Sequence, residues 1–379
     1  MWDREFETVS WENIKEYWLK ELVTQCEYIR KCEYYSSRLK SINSIKTYGS
    51  LVEIPLLTKE ALRKAQEDSS PERPLGAFQV TDGVDIVQVI ASSGTTGRPV
   101  YYGVTAADLD VWRDALACFF KYGYTAGVRR ESRVGHLVHL AMMAGGEPYF
   151  EGMRHIGAMA VGVGGFSTER VLDTLKHLCC DAFLSTTSYA VHLGEKCYQL
   201  TGRSPRDFEV MVRLVMAGGE PGLGEAAIRA RVRELWGAVG VREMMGLAEV
   251  LPGMWAECEA EAGMHFTAAR HVMVELVNPG DGSHIPWEPG AEGEPVYTTL
   301  HRQATPVIRY RSADYIRVEG VGCACGRTSP RIRCIGRVDD MLIYRGMNVF
   351  PSAIRDVITT HFGHLTTGYI QVATNILHK

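Results

Sequence analysis

Residues 91–99 run Ala-Ser-Ser-Gly-Thr-Thr-Gly-Arg-Pro, directly after the apolar, β-branched run 85–90. Hydroxyls and glycines packed into one turn behind a strand make a phosphate cradle. Glycine lets backbone N–H groups approach an anion closely, the Ser and Thr hydroxyls add donors, and Arg98 adds positive charge. The guest this suits is a nucleoside triphosphate. A Walker loop would close on Gly-Lys-Ser/Thr, whereas Gly97 runs into Arg98-Pro99, so a different ATP chemistry is indicated. A polar surface loop is the other reading of the same residues.

A second constellation is sulfur-based. Cys323 and Cys325 lie one residue apart, and Cys258 and His265 form another pair upstream. Together they supply the four soft or borderline ligands of a closed, tetrahedral structural zinc site. The one-residue spacing is tighter than in the usual zinc knuckle, and buried free thiols are the alternative.

Further motifs follow in a fixed order: Met216-Ala217-Gly218-Gly219-Glu220-Pro221, Met245-Gly246-Leu247-Ala248-Glu249, Arg309-Tyr310-Arg311-Ser312-Ala313-Asp314, then Gly336-Arg337-Val338-Asp339-Asp340 leading into Gly346-Met347-Asn348-Val349-Phe350-Pro351. With these in place the chain resembles the adenylate-forming superfamily, and within it most closely the phenylacetate:CoA ligase group. The resemblance runs from the loop at 91–99 to about Asp356. It implies an α/β fold: a large adenylation domain over residues 1–336, built of helix-covered β-sheets with a smaller β-rich subdomain. Residues 337–379 would be the hinge, at Asp339, and the start of a C-terminal lid that is mostly absent.

The activity implied is ATP-dependent joining of a small carboxylic acid to AMP with loss of pyrophosphate, then transfer of the acyl group to CoA. Ser92, Ser93, Gly94, Thr95, Thr96 and Gly97 would hold the β- and γ-phosphates, with Thr95, Glu249 and Arg337 as catalytic residues. Glu249 offers the hard oxygen that Mg2+ prefers when it bridges phosphates. Gly218, Gly219, Glu220, Met244, Met245 and Gly246 would bracket the adenine and acyl groups, and Asp314 would accept hydrogen bonds from the ribose hydroxyls. Arg337 would sit near ribose or phosphates, or pair with Asp339 or Asp340. Family members commonly carry Tyr and Ser or Thr where this chain has Met245 and Ala248, which weakens adenine stacking and points to altered specificity. For the acid, Gly219, Gly246 and His136 or His139 are the contact candidates. The bulky run Leu140-Ala141-Met142-Met143 suits a smaller pocket, so a short or branched 2-hydroxy acid stands beside an aryl acid. The lid of the family normally carries a catalytic lysine; Lys379 has no such loop around it, and poor thioester formation is the expectation. A nucleotide- and zinc-binding scaffold without turnover, or adenylation with another acceptor, is the competing reading.

The elements needed to position these residues are legible. Trp11, Ile14, Trp18 and Leu22 form one stripe of a helical layer within Thr8 to Leu39, and Thr58 caps a helix that delivers the chain to the phosphate loop. From Val134 to Leu276 short β-rich runs alternate with helical ones, the pattern of a sheet covered by helices, and Val272 to Arg317 reads as mostly strand. The chain's 379 residues are 46% hydrophobic with a net charge of −4, which suffices for a large core and leaves no electrostatic footprint for nucleic acid. No apolar run is long enough for a bilayer, and the acidic start does not read as a signal peptide. The ten cysteines are then expected to stay reduced in the cytoplasm, and the family expectation is a homodimer.

Overall fold

The computed structural model describes residues 1–39, 45–92, 98–121, 127–220 and 222–340, with the backbone of two short strands beyond them. The N-terminal layer is helix α1 (Arg4–Glu7), the long α2 (Trp11–Ile29) and α3 (Glu33–Ser36). Ser10 caps α2 by accepting from Asn13 N, and the stripe Trp11, Ile14, Trp18, Leu22 is buried as its spacing predicts. Helix α4 (Lys59–Ala65) begins at Thr58, whose hydroxyl accepts from Ala61 N. Strands β1 (Ile86–Ala91) and β2 (Tyr101–Thr105) form an antiparallel hairpin, so the loop read as a phosphate cradle closes a two-stranded ribbon; α5 (Ala106–Lys121) follows.

The central sheet begins with the alternating half of the sequence. Strands β3 (Arg133–His136), β4 (Met159–Gly162), β5 (Ala182–Ser185), β6 (Leu214–Gly218) and β7 (Gly240–Leu247) are parallel, in the order β4-β3-β5-β6-β7. Helices α6 (Glu147–Ile156), α7 (Thr168–His177), α8 (Thr187–Thr201) and α9 (Ala226–Trp236) make the crossovers that parallel strands require. The chain leaves β3 to one side for β4 and returns on the other side as β5. That reversal is a topological switch point, where ligands bind beyond the carboxyl ends of the strands.

A tight turn after β7 leads into β8 (Leu251–Glu257), and from there the sheet continues antiparallel through β9 (Met264–Phe266), β14 (Pro330–Arg337), β13 (Asp314–Val321), β11 (Glu292–Thr299) and β10 (Val272–Val277). The short β12 (Tyr310–Arg311) pairs with β11. The β-rich stretch expected as a subdomain is therefore an edge of the same sheet. Two apolar clusters cover it. The larger packs α2 and α5 on the antiparallel half and extends over one face of the parallel strands through Val134, Leu184 and Met216, and the smaller packs α7, α8 and α9 on the other face, against Phe183, Val215 and Val241. After Asp340 comes the hairpin β15 (Leu342–Tyr344) and β16 (Met347–Val349).

Candidate active site

The glycines singled out by sequence stand where side chains would collide. A Cβ on Gly218, at the end of β6, would meet Met244 O at 2.2 Å, and one on Gly246 would meet Pro252 O at 1.7 Å. Gly219 has φ +82°, open to glycine at little cost. The three line the carboxyl ends of β6 and β7 beside the switch point. Met244 is buried, Met245 half-buried, and Glu220 turns away to accept from Ser188 N at 2.6 Å, at the start of α8.

Glu249 sits at the tip of the β7–β8 hairpin, where Leu247 pairs with Leu251. Its carboxylate is buried, and Lys59 Nζ lies 3.1 Å from Oε1. Lys59 was not among the residues the sequence suggested; its place directly after the helix cap Thr58 was the available signal. Asp314 opens β13 opposite Arg337 of β14. Oδ1 is 3.5 Å from Arg337 Nη1, and the buried Oδ2 has no partner among the described residues. Burial pushes the Asp314 carboxyl up to about 7; Arg337 pulls it down, and the nearby charge of Glu249 pushes it further up. Both carboxylates are buried, and the charge of one reaches the other. Arg337 also grips Asp339 through two contacts of 2.9 Å, the pairing that stood as the alternative to a place near ribose or phosphates; its contact with Asp314 was not foreseen.

Ser92 closes the base of the β1–β2 loop: its N–H donates to Val100 O and its hydroxyl accepts from Val100 N. Ser93, Gly94, Thr95, Thr96 and Gly97 lie outside the described residues. The loop's far end rests on α4, where Arg63 Nε donates to Arg98 O. The other wall comes from 138–146. Met142 O accepts from Ala91 N at 2.7 Å, and His136, fully buried at the end of β3, contacts Gly145 O through Nε2 at 2.9 Å. Burial pushes the His136 pKa down, so the neutral ring with its proton on Nε2 fits that contact, leaving a bare Nδ1 with no partner among the described residues. His139 is exposed, its ring against Gly165.

The sulfur constellation assembles far from its sequence spacing. Cys258, His265, Cys323 and Cys325 place one ligand atom each within 4.8 Å of one another. Cys258 Sγ and Cys323 Sγ are 3.8 Å apart, and Cys325 Sγ is 3.7 Å from His265 Nε2. For Zn–S bonds of ~2.3 Å the edge of a tetrahedron is ~3.8 Å, so the donors stand at coordination spacing. Ser329 Oγ contacts His265 Nδ1 at 3.4 Å, and Arg327 Nη1 donates to Cys325 Sγ at 3.7 Å. Hydrogen bonds from Cys258 and His265 hold the Cys325 thiol far down, toward thiolate, the form a metal takes.

No family model matches the chain. A phenylacetate-coenzyme A ligase of Thermus thermophilus is 31% identical over 368 residues, 94% of this chain and 78% of the relative. The Escherichia coli protein of the same name is 31% identical over 329 residues, 86% of this chain and 70% of the relative. Among solved structures, a 2-hydroxyisobutyryl-CoA ligase in the postadenylation state superposes with a TM-score of 0.83 at 26% identity, over 94% of this chain and 74% of that one. An anthranilate CoA ligase, at 17% identity and a TM-score of 0.55, shares the fold. Relatives this similar over most of both chains decide the matter: the chain belongs to the phenylacetate-coenzyme A ligase family.

Proposed function

We propose that this chain activates a small carboxylic acid as its acyl-adenylate with ATP and Mg2+, and passes the acyl group to CoA. The observation that carries the reading is the pair Glu249 and Asp314, two buried carboxylates with Lys59 beside the first and Arg337 beside the second, on a sheet whose β6 and β7 end in glycines with no room for a side chain. In it Glu249 would hold Mg2+ against the triphosphate, which neutralises charge while carboxylate and α-phosphate are brought into line. Lys59 and the loop 92–97, Thr95 included, would face the phosphates. Asp314 would hold the ribose, and the glycine walls the adenine and acyl groups. Arg337 and Asp339 mark the hinge between residues 1–336 and the lid that begins at 337.

The chain's own acid is an aryl acid or a short, branched or 2-hydroxy acid. The family name supports the first. The likeness to a 2-hydroxyisobutyryl-CoA ligase, with the bare Nδ1 of His136 at the switch point, supports the second. ATP-dependent pyrophosphate release with phenylacetate, benzoate and 2-hydroxyisobutyrate, followed by mass spectrometry for acyl-CoA, tests the proposal. One of the two classes should exceed the other at least tenfold; no pyrophosphate with any acid would sink it in favour of a scaffold without turnover.

The four ligands 258, 265, 323 and 325 would hold a structural zinc ion, which supplies folding energy and no chemistry. Homodimerisation and a cytoplasmic location belong to the same proposal, the former read by sedimentation.

A pH dependence follows from Asp314. Its pKa of about 7 means that the carboxylate is lost as pH falls through neutrality, and with it the charged acceptor for the ribose hydroxyls. KM for ATP should therefore rise severalfold from pH 8 to pH 6, while KM for the acid changes less. Asp314→Asn should raise KM for ATP at every pH and flatten its profile. A parallel slope in the variant would remove Asp314 from ribose binding.

A further inference from the structure

Two histidines meet at the seam between the N-terminal helices and the antiparallel edge of the sheet. His271 stands directly before β10 and His301 just after β11. The register that pairs Val272 with Thr299 is continued by Leu300 N, which donates to His271 O at 2.9 Å, so the backbone itself brings the two side by side. Their Nδ1 atoms are 3.2 Å apart, with ring centroids 5.3 Å apart and ring planes at 78°. Each outer nitrogen meets a carboxylate from a different helix. His271 Nε2 lies 3.0 Å from Asp114 Oδ2 of α5, and His301 Nε2 lies 3.2 Å from Glu21 Oε2 of α2. Asp114 is itself held, since its Oδ1 accepts from Trp2 Nε1 at 2.8 Å. The row Asp114, His271, His301, Glu21 contains three contacts, and each needs a positive centre between two electron pairs. Ionised carboxylates bring no proton and two neutral imidazoles bring one each. With both ring protons on Nε2, where the carboxylates accept them, the place left bare is the one between the two Nδ1 lone pairs.

We propose that His271 and His301 bind a divalent transition cation of the zinc class between their Nδ1 atoms, at a site separate from the Cys/His cluster. The spacing suits it: for Zn–N bonds of ~2.0 Å the edge of a tetrahedron is ~3.3 Å, close to the separation of the two nitrogens. The carboxylates suit it as well. A histidine that ligates a metal donates its other ring N–H to a carboxylate, which fixes the tautomer and aims the bare nitrogen, and here both rings are held that way. Charge points in the same direction, because a dication balances the two carboxylates whereas a third proton in the row would leave one negative charge over. Water can complete the coordination, since the His301 side chain is 29% exposed and that of Asp114 41%. Imidazole nitrogens with water select zinc, nickel or copper over magnesium and calcium, so this site would not compete for the cation that accompanies the nucleotide. Its ion would staple α2 and α5 to the turns that flank β10 and β11.

The test is a calorimetric titration of Zn2+ into the full chain, parent against His301→Gln, with a thermal melt of each sample. The parent should take up about one equivalent more than the variant, a difference that does not depend on what the Cys/His cluster holds in both. His271→Gln, on the other ring, should lose the same equivalent. Asp114→Asn and Glu21→Gln leave both ligands in place and remove only the carboxylate behind one of them. Each should keep the additional equivalent and weaken it on the order of ten- to a hundredfold, a graded loss that poor folding would not imitate. Excess Zn2+ should raise the Tm of the parent and leave that of His301→Gln unmoved, because an ion that binds the folded chain alone stabilises it. Equal uptake by the parent and both histidine variants overturns the site and leaves a third proton to complete the row. Carboxylate variants that bind the additional Zn2+ as tightly as the parent overturn it too, since the ion would then lie elsewhere.

Discussion

Glu249→Gln should lower adenylate formation by about a hundredfold or more while the fold survives. The substitution keeps size and one hydrogen-bond acceptor but removes the charge that, on the proposed reading, would face the metal, and losses of that order follow the removal of one group that stabilises charge in a transition state. The fold survives for a local reason. The lost ion pair joins Glu249 to a lysine whose side chain is 28% exposed, so Lys59 can turn its ammonium to water rather than remain as an unpaired buried charge. Pyrophosphate release at saturating acid and ATP, with a thermal melt of the same sample, measures both halves. A variant that releases pyrophosphate at the parental rate would mean that some other group, within the loop 93–97 or elsewhere, carries the cation.

Much of this site was legible in the sequence because each motif imposes a backbone requirement of its own. Gly218, Gly219 and Gly246 stand out by residue type alone, since close approach or positive φ leaves glycine as the residue that fits, and two of them would clash with backbone oxygens if they bore a Cβ. The helical stripe from Trp11 to Leu22 and the alternation after Val134 carried their periods openly. What did not show was pairing across distance. Lys59 is an ordinary first-turn lysine by sequence, and its meeting with Glu249 depends on the bridge of Leu57 to Tyr310, a contact over some 250 positions of chain. Likewise the strand-rich stretch after Val272 reads as a unit because turns bound it. Yet β9 and β14, drawn from either side of it, stitch it into the main sheet. Register between distant strands is set by which faces find apolar partners, and that information is spread over the whole core.

The Cys/His cluster is the place where sequence left two readings and geometry favours one of them. Four thiol and imidazole donors, from three separate stretches of chain, turn one ligand atom each to a common point, all within 4.8 Å of one another, and it is this convergence of four, rather than any one contact, that suits a tetrahedral ion. Metal-free, the site would hold a thiol pressed toward thiolate beside a second thiol pushed well up, a costly arrangement that one divalent ion resolves. The purified protein should therefore carry about one equivalent of zinc per chain. Cys323→Ser with Cys325→Ser should lose that zinc and lower Tm by roughly 5–10 °C, the shift expected when several kcal/mol of ligand binding no longer favours the folded state of a chain this long. The same double variant should keep a pyrophosphate-release rate near the parental one at low temperature, because the cluster lies just after β8, on β9 and in the turn between β13 and β14, at the opposite strand ends from Glu249 and Asp314. Elemental analysis and a melt with and without a strong chelator decide it. Parental protein that is free of metal and melts where the double variant melts would leave these four residues as packed thiols and a satisfied histidine.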